Sequence, residues 1–131
     1  MIAARDIEAV VDQIARTAKP ERIILFGSYA YGTPNDDSDV DLMVIKRYRG
    51  DSSQAALRIR CDINASIPKD ILVRSPAEIE RRLRIEDFFI MDVVEKGLVL
   101  HERNNRRMGE QGRNRLRRRL HSATLKKAHS V

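Results

Sequence analysis

Residues 27–45 read GSYAYGTPNDDSDVDLMVI, and the spacing within this stretch decides how the chain around it is read. The run before it, ERIILF, has the length and β-branched content of a buried strand and ends at Gly27. The stretch closes on VDLMVI, a second strand, with a short helical start at Ser28–Tyr31 and a polar, turn-rich loop over residues 32–38 in between. Asp39 and Asp41 lie two apart on the second strand, so their side chains project from one face with Cα atoms about 6.5–7 Å apart. Without cations such carboxylates repel and one tends to take up a proton. One or two divalent ions keep both charged, and hard oxygen ligands favour Mg²⁺ or Mn²⁺. Gly27 lets a phosphate approach its backbone, and Ser28 offers a hydroxyl and a backbone N–H, so the pair forms a candidate triphosphate cradle.

Working outward, Ile7, Val10, Val11 and Ile14 recur at helical spacing and predict an amphipathic helix over residues 3–17, stopped near Lys19 and Pro20. Beyond the second strand, Ala56, Ile59, Ile63 and Ile67 fall near one helical face, closed by Pro68. A third strand, KDILV, follows and has Asp70 near its start. If strands two and three are neighbours, Asp70 stands beside the Asp39–Asp41 pair, and three carboxylates can hold two metals about 3.5–4 Å apart. Ser75, Pro76 and Glu78 make a capping box with proline at the first helical position, for a helix to about Leu83. A further helix over residues 86–96 ends at Gly97 as a left-handed cap, and LVLH follows as a short strand. Alternating strands and helices predict an α/β or α+β sheet packed on helices, with the strand order left open.

The chain has 131 residues and a formal charge of +6, but residues 103–131 hold ten Lys/Arg against one Glu. That tail carries +9, which leaves residues 1–102 at −3. The expected organisation is one folded domain over 1–102 and a basic tail over 103–131, flexible or ordered by a partner. The tail holds Gly109 and Gly112, and Leu116, Leu120 and Ala123 give only a narrow apolar stripe. Its lack of interleaved aromatics puts solvation or partner binding ahead of nucleic-acid recognition. No run is long enough to span a bilayer and the N-terminus does not read as a signal peptide, so a soluble, cytoplasmic protein is expected. Cys61, the sole cysteine, excludes an internal disulfide and is expected to be at least half-buried; His101, His121 and His129 lack ligand spacing and are expected to be exposed.

With these residues assembled, the chain resembles the minimal nucleotidyltransferases of the DNA polymerase beta superfamily. Gly27, Ser28, Gly32, Ser38, Asp39, Asp41 and Asp70 fall where that pattern expects them, and the likeness covers residues 5–102. The resemblance implies a mixed sheet flanked by helices and transfer of a nucleoside monophosphate, AMP from ATP, to an acceptor hydroxyl. Asp39 and Asp41 would bind metals, and Asp70 would bind one metal and orient or deprotonate the acceptor. Gly27 and Ser28 would hold the β- and γ-phosphates, with Ser38 also on the nucleotide side. Members this small often accompany a HEPN-type ribonuclease toxin as its antitoxin, which makes such a protein the expected partner, with a homo-oligomer a further option. A contact-only antitoxin and a small-molecule (antibiotic) nucleotidyltransferase are the alternatives.

Two other readings fail on residue type. Asp37, Asp39 and Asp41 match positions 1, 3 and 5 of a calcium loop, but Leu42 stands where glycine is needed and Tyr48 where glutamate closes the loop. Gly27 and Gly32 have P-loop spacing, yet Thr33 and Pro34 replace the Lys and Ser/Thr. Tyr29 and Tyr31 are expected to pack against the sheet, with a nucleotide contact as the second choice.

Overall fold

The computed structural model describes the backbone of residues 1–129 and the side chains through Thr124. Its elements are α1 (Ala4–Ala18), β1 (Arg22–Phe26), α2 (Ser28–Tyr31), β2 (Val40–Ile45), α3 (Ser52–Asp62), β3 (Lys69–Arg74), α4 (Pro76–Arg84), α5 (Phe88–Lys96), β4 (Leu98–Glu102) and α6 (Arg106–His129). The strands form one sheet in the order β3-β2-β1-β4. β1 pairs antiparallel with both β2 and β4, whereas β2 pairs parallel with β3, so the sheet is mixed and strands two and three are neighbours.

Side-chain alternation divides the core between the two faces. Ile23, Leu25, Leu42, Val44, Ile71, Val73, Leu98 and Leu100 face α1, α3 and α6. Ile24, Phe26, Met43 and Ile45 face the opposite way, onto Ile90 and Val93 of α5. The periodicity of α1 is realised as read, with Ile7, Val10, Val11 and Ile14 buried. The Ser75 capping box is present in full, with Pro76 opening α4.

Local expectations differ in several places. The helix after β2 is shorter than the apolar spacing suggests: α3 buries Ala55 and Ile59 and ends at Asp62, so Ile63 and Ile67 lie beyond it. Cys61 sits on the exposed side of that helix. α5 begins at Phe88, capped by Asp87, because Glu86 adopts a left-handed φ of 56° and breaks the path from α4. Gly97 is extended (φ −67°) and does not form a left-handed cap. Glycine is needed there for space, since a Cβ would lie 2.3 Å from the Val93 carbonyl and 2.5 Å from Ile24 Cγ2. His101 is half-buried on β4, where burial and the Arg113 charge lower its pKa. His121 is exposed, and the side chain of His129 lies outside the described residues.

The basic tail is the main correction. Expected to be flexible or ordered by a partner, it forms α6 and packs across this chain's own β4, with Leu116 and Leu120 buried in the same core as α1. The two glycines of the tail lie close against β4. A Cβ on Gly112 would lie 1.8 Å from the Val99 carbonyl oxygen, and one on Gly109 would lie 3.3 Å from that of Leu100. Part of the tail's charge is paired with carboxylates of α1. Arg117 donates to both carboxylate oxygens of Glu8 at 2.9 and 2.6 Å, and Arg113 bonds Asp12 at 2.8 Å and the Leu100 carbonyl at 3.0 Å. Glu8 is buried, which would be costly for an unpaired carboxylate; bidentate pairing offsets that cost.

Gly112→Ala, which in an open helix would stabilise by about 1 kcal/mol, should here destabilise by about 2–3 kcal/mol because the strand backbone occupies the Cβ position. Urea unfolding of the full chain measures the sign directly, and Leu116→Ala should cost about 2–5 kcal/mol in the same assay.

Candidate active site

The carboxylates meet at one end of the sheet because of strand register. Asp41 is paired with Asp70 across the parallel β2–β3 ladder, so both side chains leave the same face at the same level. The alternation of Leu42 and Val44 against Met43 and Ile45 assigns Asp41 to the α5 side of the sheet. Asp39, exposed and one residue before β2 begins, shares its parity. Burial raises the pKa of Asp41 first, and the charges of Asp70 and Asp39 raise it further. The structure thus brings the three predicted carboxylates into mutual electrostatic range.

They do not converge on a single point. Among the described residues no group of three His, Cys, Asp or Glu side chains is gathered closely enough to hold one ion. Asp70 turns toward Arg60 of α3, 3.4 Å away, in an exposed pair of the kind that contributes little. The donor set still has the chemistry of a hard-cation site: oxygen ligands only, with a central carboxylate whose charge is disfavoured by its neighbours until positive charge is supplied. The candidate donors are the carboxylate oxygens of Asp39, Asp41 and Asp70.

Gly27 backs this centre. Its conformation (φ 76°, ψ −156°) is open essentially to glycine alone, and a Cβ there would lie 2.2 Å from Asp41 Oδ2. The amides of Ala30 and Tyr31 donate to the Gly27 carbonyl at 3.0 Å each, folding α2 directly behind the turn. Gly32 closes the segment: its amide donates to the Ser28 carbonyl at 3.1 Å, and a Cβ would press on Ser28 Cα at 2.7 Å. Tyr29 is buried, and its hydroxyl accepts from the Ile2 amide at 3.0 Å, whereas Tyr31 is exposed.

Ser38 is occupied in shaping the loop. Its hydroxyl accepts from the Asn35 amide at 2.9 Å, its own amide donates to the Asn35 carbonyl at 3.1 Å, and Asn35 Oδ1 accepts from the Asp37 amide at 2.8 Å. This turn delivers Asp39 to the head of β2. The N-terminal ammonium group pairs with Asp36 at 2.8 Å and tethers the same loop to α1.

A residue outside every sequence expectation also reaches this region. Arg119 of α6 donates from Nε to the Tyr29 carbonyl at 2.9 Å and from Nη2 to the carbonyls of Ser28, at 3.1 Å, and Gly32. A cleft of about 1070 Å³ opens between α6 and the loop, bordered by Gly32, Asn35, Gly97, Arg115, Arg118 and Arg119. Nothing in the sequence separates Arg119 from the other arginines around it. The signal that places it is the docking face set by Gly109, Gly112, Leu116 and Leu120.

A nucleotidyltransferase-type site is therefore what the fold and the acidic centre define. Residues 8–106 match the family model described as Polymerase beta, Nucleotidyltransferase, and the chain belongs to that family. No match is found among curated proteins. Among solved structures, the fold is similar to the 1.40 Å crystal structure of a proposed nucleotidyltransferase from Sulfolobus solfataricus, with a TM-score of 0.56 and 18% identity over 78% of this chain and 82% of that one. At that identity the likeness speaks for the fold. Among the described residues no helix is long and apolar enough to cross a membrane.

Two outcomes follow from the geometry. In metal-free protein at pH 7, Asp41→Asn should raise Tm by about 2–4 °C by removing a repelled carboxylate. Because the native pKa of Asp41 is raised, the gain should fade as pH falls through that native value. It should vanish below the ordinary 3.8, where the carboxyl is protonated in both folded and unfolded states. Gly27→Ala should cost about 2–4 kcal/mol in urea unfolding, and pairing it with Asp41→Ala should recover the part due to the Cβ–carboxylate clash but not the part due to φ.

Proposed function

We propose that the protein is a Mg²⁺-dependent nucleotidyltransferase that moves a nucleoside monophosphate, AMP from ATP, to a hydroxyl on a partner protein. The observation that carries this reading is the in-register pairing of Asp41 with Asp70, with the side-chain-free Gly27 against Asp41. Asp39 and Asp41 are the residues that would hold the divalent ion, and Asp70 would join them. When bound, Mg²⁺ or Mn²⁺ supplies positive charge to the phosphate oxygens and allows all three carboxylates to stay ionised.

The chain's own residues perform the remaining tasks. Gly27 leaves its backbone open to the terminal phosphates, and the Ser28 hydroxyl would donate to them. Asp70, exposed at the start of an outer strand, orients the acceptor hydroxyl and takes its proton. The acceptor oxygen forms a bond to the α-phosphorus, the bond from that phosphorus to the bridging oxygen breaks, and pyrophosphate leaves with the electron pair. Asp70 lies next to the Arg60 guanidinium, 3.4 Å away.

A protein acceptor is supported by exposed apolar side chains on α4, α5 and their junction, Leu83, Ile85, Phe88, Phe89 and Val94, and the HEPN ribonuclease type is what the resemblance implies for it. Phe89 packs edge-on against Phe26 at 5.6 Å, which connects these side chains to the strand that ends at Gly27. Phe88, 81% exposed, is an aromatic side chain suited to anchoring a partner.

Incubation with labelled ATP and Mg²⁺, with and without a candidate partner ribonuclease, tests the reading. Asp41→Asn and Asp39→Asn should each reduce label transfer at least about 100-fold while the protein stays folded. Tight partner binding with no label would overturn catalysis in favour of neutralisation by contact. Full activity in Asp41→Asn would remove the acidic centre from the mechanism.

A further inference from the structure

The segment carrying Gly27 and Ser28 has little internal support. α2 is a four-residue helix, far below the length at which a helix holds itself in water. Its N-terminal side is closed by the Ala30 and Tyr31 amides on the Gly27 carbonyl. The C-terminal side is where the peptide dipoles leave their negative ends, and the Arg119 guanidinium sits there. One planar group ties the Ser28, Tyr29 and Gly32 carbonyls together, and a lysine ammonium, a single point charge, cannot reproduce that fork. Arg119 is itself half-buried and lies one residue before the buried Leu120, so its direction is fixed by the packing of α6.

We propose that Arg119 is a positioning residue for the phosphate-binding turn: by holding the Ser28 and Tyr29 carbonyls of α2 and the Gly32 carbonyl just beyond it, Arg119 keeps Gly27 and Ser28 ordered before the triphosphate binds. The proposal rests on the nucleotidyl-transfer reading only for the identity of the ligand. The clamp comes from α6, beyond the 8–106 span matched by the family model, so this element is joined to the family's core from outside it. Binding energy that would otherwise be spent on ordering α2 is then available for the triphosphate. Arg117 provides a matched comparison on the same helix: it has the same charge, but its contacts are to Glu8 and Asn114.

The test uses the full chain as wild type, Arg119→Ala, Arg119→Lys and Arg117→Ala, with two measurements. Amide hydrogen exchange at Ala30, Tyr31 and Gly32 reads the order of the turn, and initial rates against ATP concentration separate KM from kcat. Arg119→Ala should accelerate exchange at these three amides and raise KM for ATP about tenfold, with kcat within about twofold of wild type. Arg119→Lys should fall between. Arg117→Ala should lower Tm without moving either reading. Wild-type exchange in Arg119→Ala, or equal changes in Arg117→Ala, would overturn the proposal. If wild type neither binds nor turns over ATP, the functional reading fails by itself, and the exchange data still decide whether Arg119 orders the turn.

Discussion

The parallel ladder between β2 and β3 is the constraint on which the remaining structure depends. Parallel neighbours cannot be joined by a tight turn, so the chain must leave β2, cover the sheet with α3, and return to start β3 at the same end. That return sets Asp70 level with Asp41. A one-residue slip would turn Asp70 to the opposite face and expose Ile71 and Val73, which are buried against α3 and α1. The core of β3 thereby enforces the alignment of the site, and packing and chemistry are specified by the same hydrogen bonds.

The antiparallel β1–β2 pair adds the second half of the arrangement. Phe26 is opposite Asp41, so the first residue beyond β1 must lie against that carboxylate. Only a residue without a side chain fits, and only glycine readily takes the backbone angles that turn the chain into α2. The raised pKa of Asp41 has the same geometric origin: a carboxylate partly withdrawn from water and flanked by two others has a reason to gain a proton or a cation.

Much of this was legible in the sequence because the informative residues are local. Gly27, Ser28, Asp39 and Asp41 lie within one strand–turn–strand unit, where period-2 alternation and turn chemistry determine direction. Asp70 depended on an adjacency that no local pattern encodes, and that adjacency is present, because β2 and β3 are neighbours. α6 was misread for a physical reason. Its apolar content is small, and its docking relies on missing side chains at Gly109 and Gly112 and on ion pairs to Glu8 and Asp12, more than one hundred positions away for Arg113 and Arg117. Composition counts those arginines as free charge, whereas the fold uses Arg113 and Arg117 as struts and Arg119 as a clamp. Gly97 shows the same limit on a smaller scale, since glycine after a helix suggests a left-handed cap and here marks close packing on Ile24.

The distance in sequence between Arg119 and Ser28 also has a bearing on synthesis. A ribosome releases the acidic centre and its glycine turn early, and β3 soon after, but α6 leaves the exit tunnel only after everything it braces. For that interval the nascent chain carries the carboxylates with an unbraced turn and with one side of β4 uncovered. Contacts of such long range form late in folding. Of the described elements, the one that braces the turn is thus the last to be synthesised.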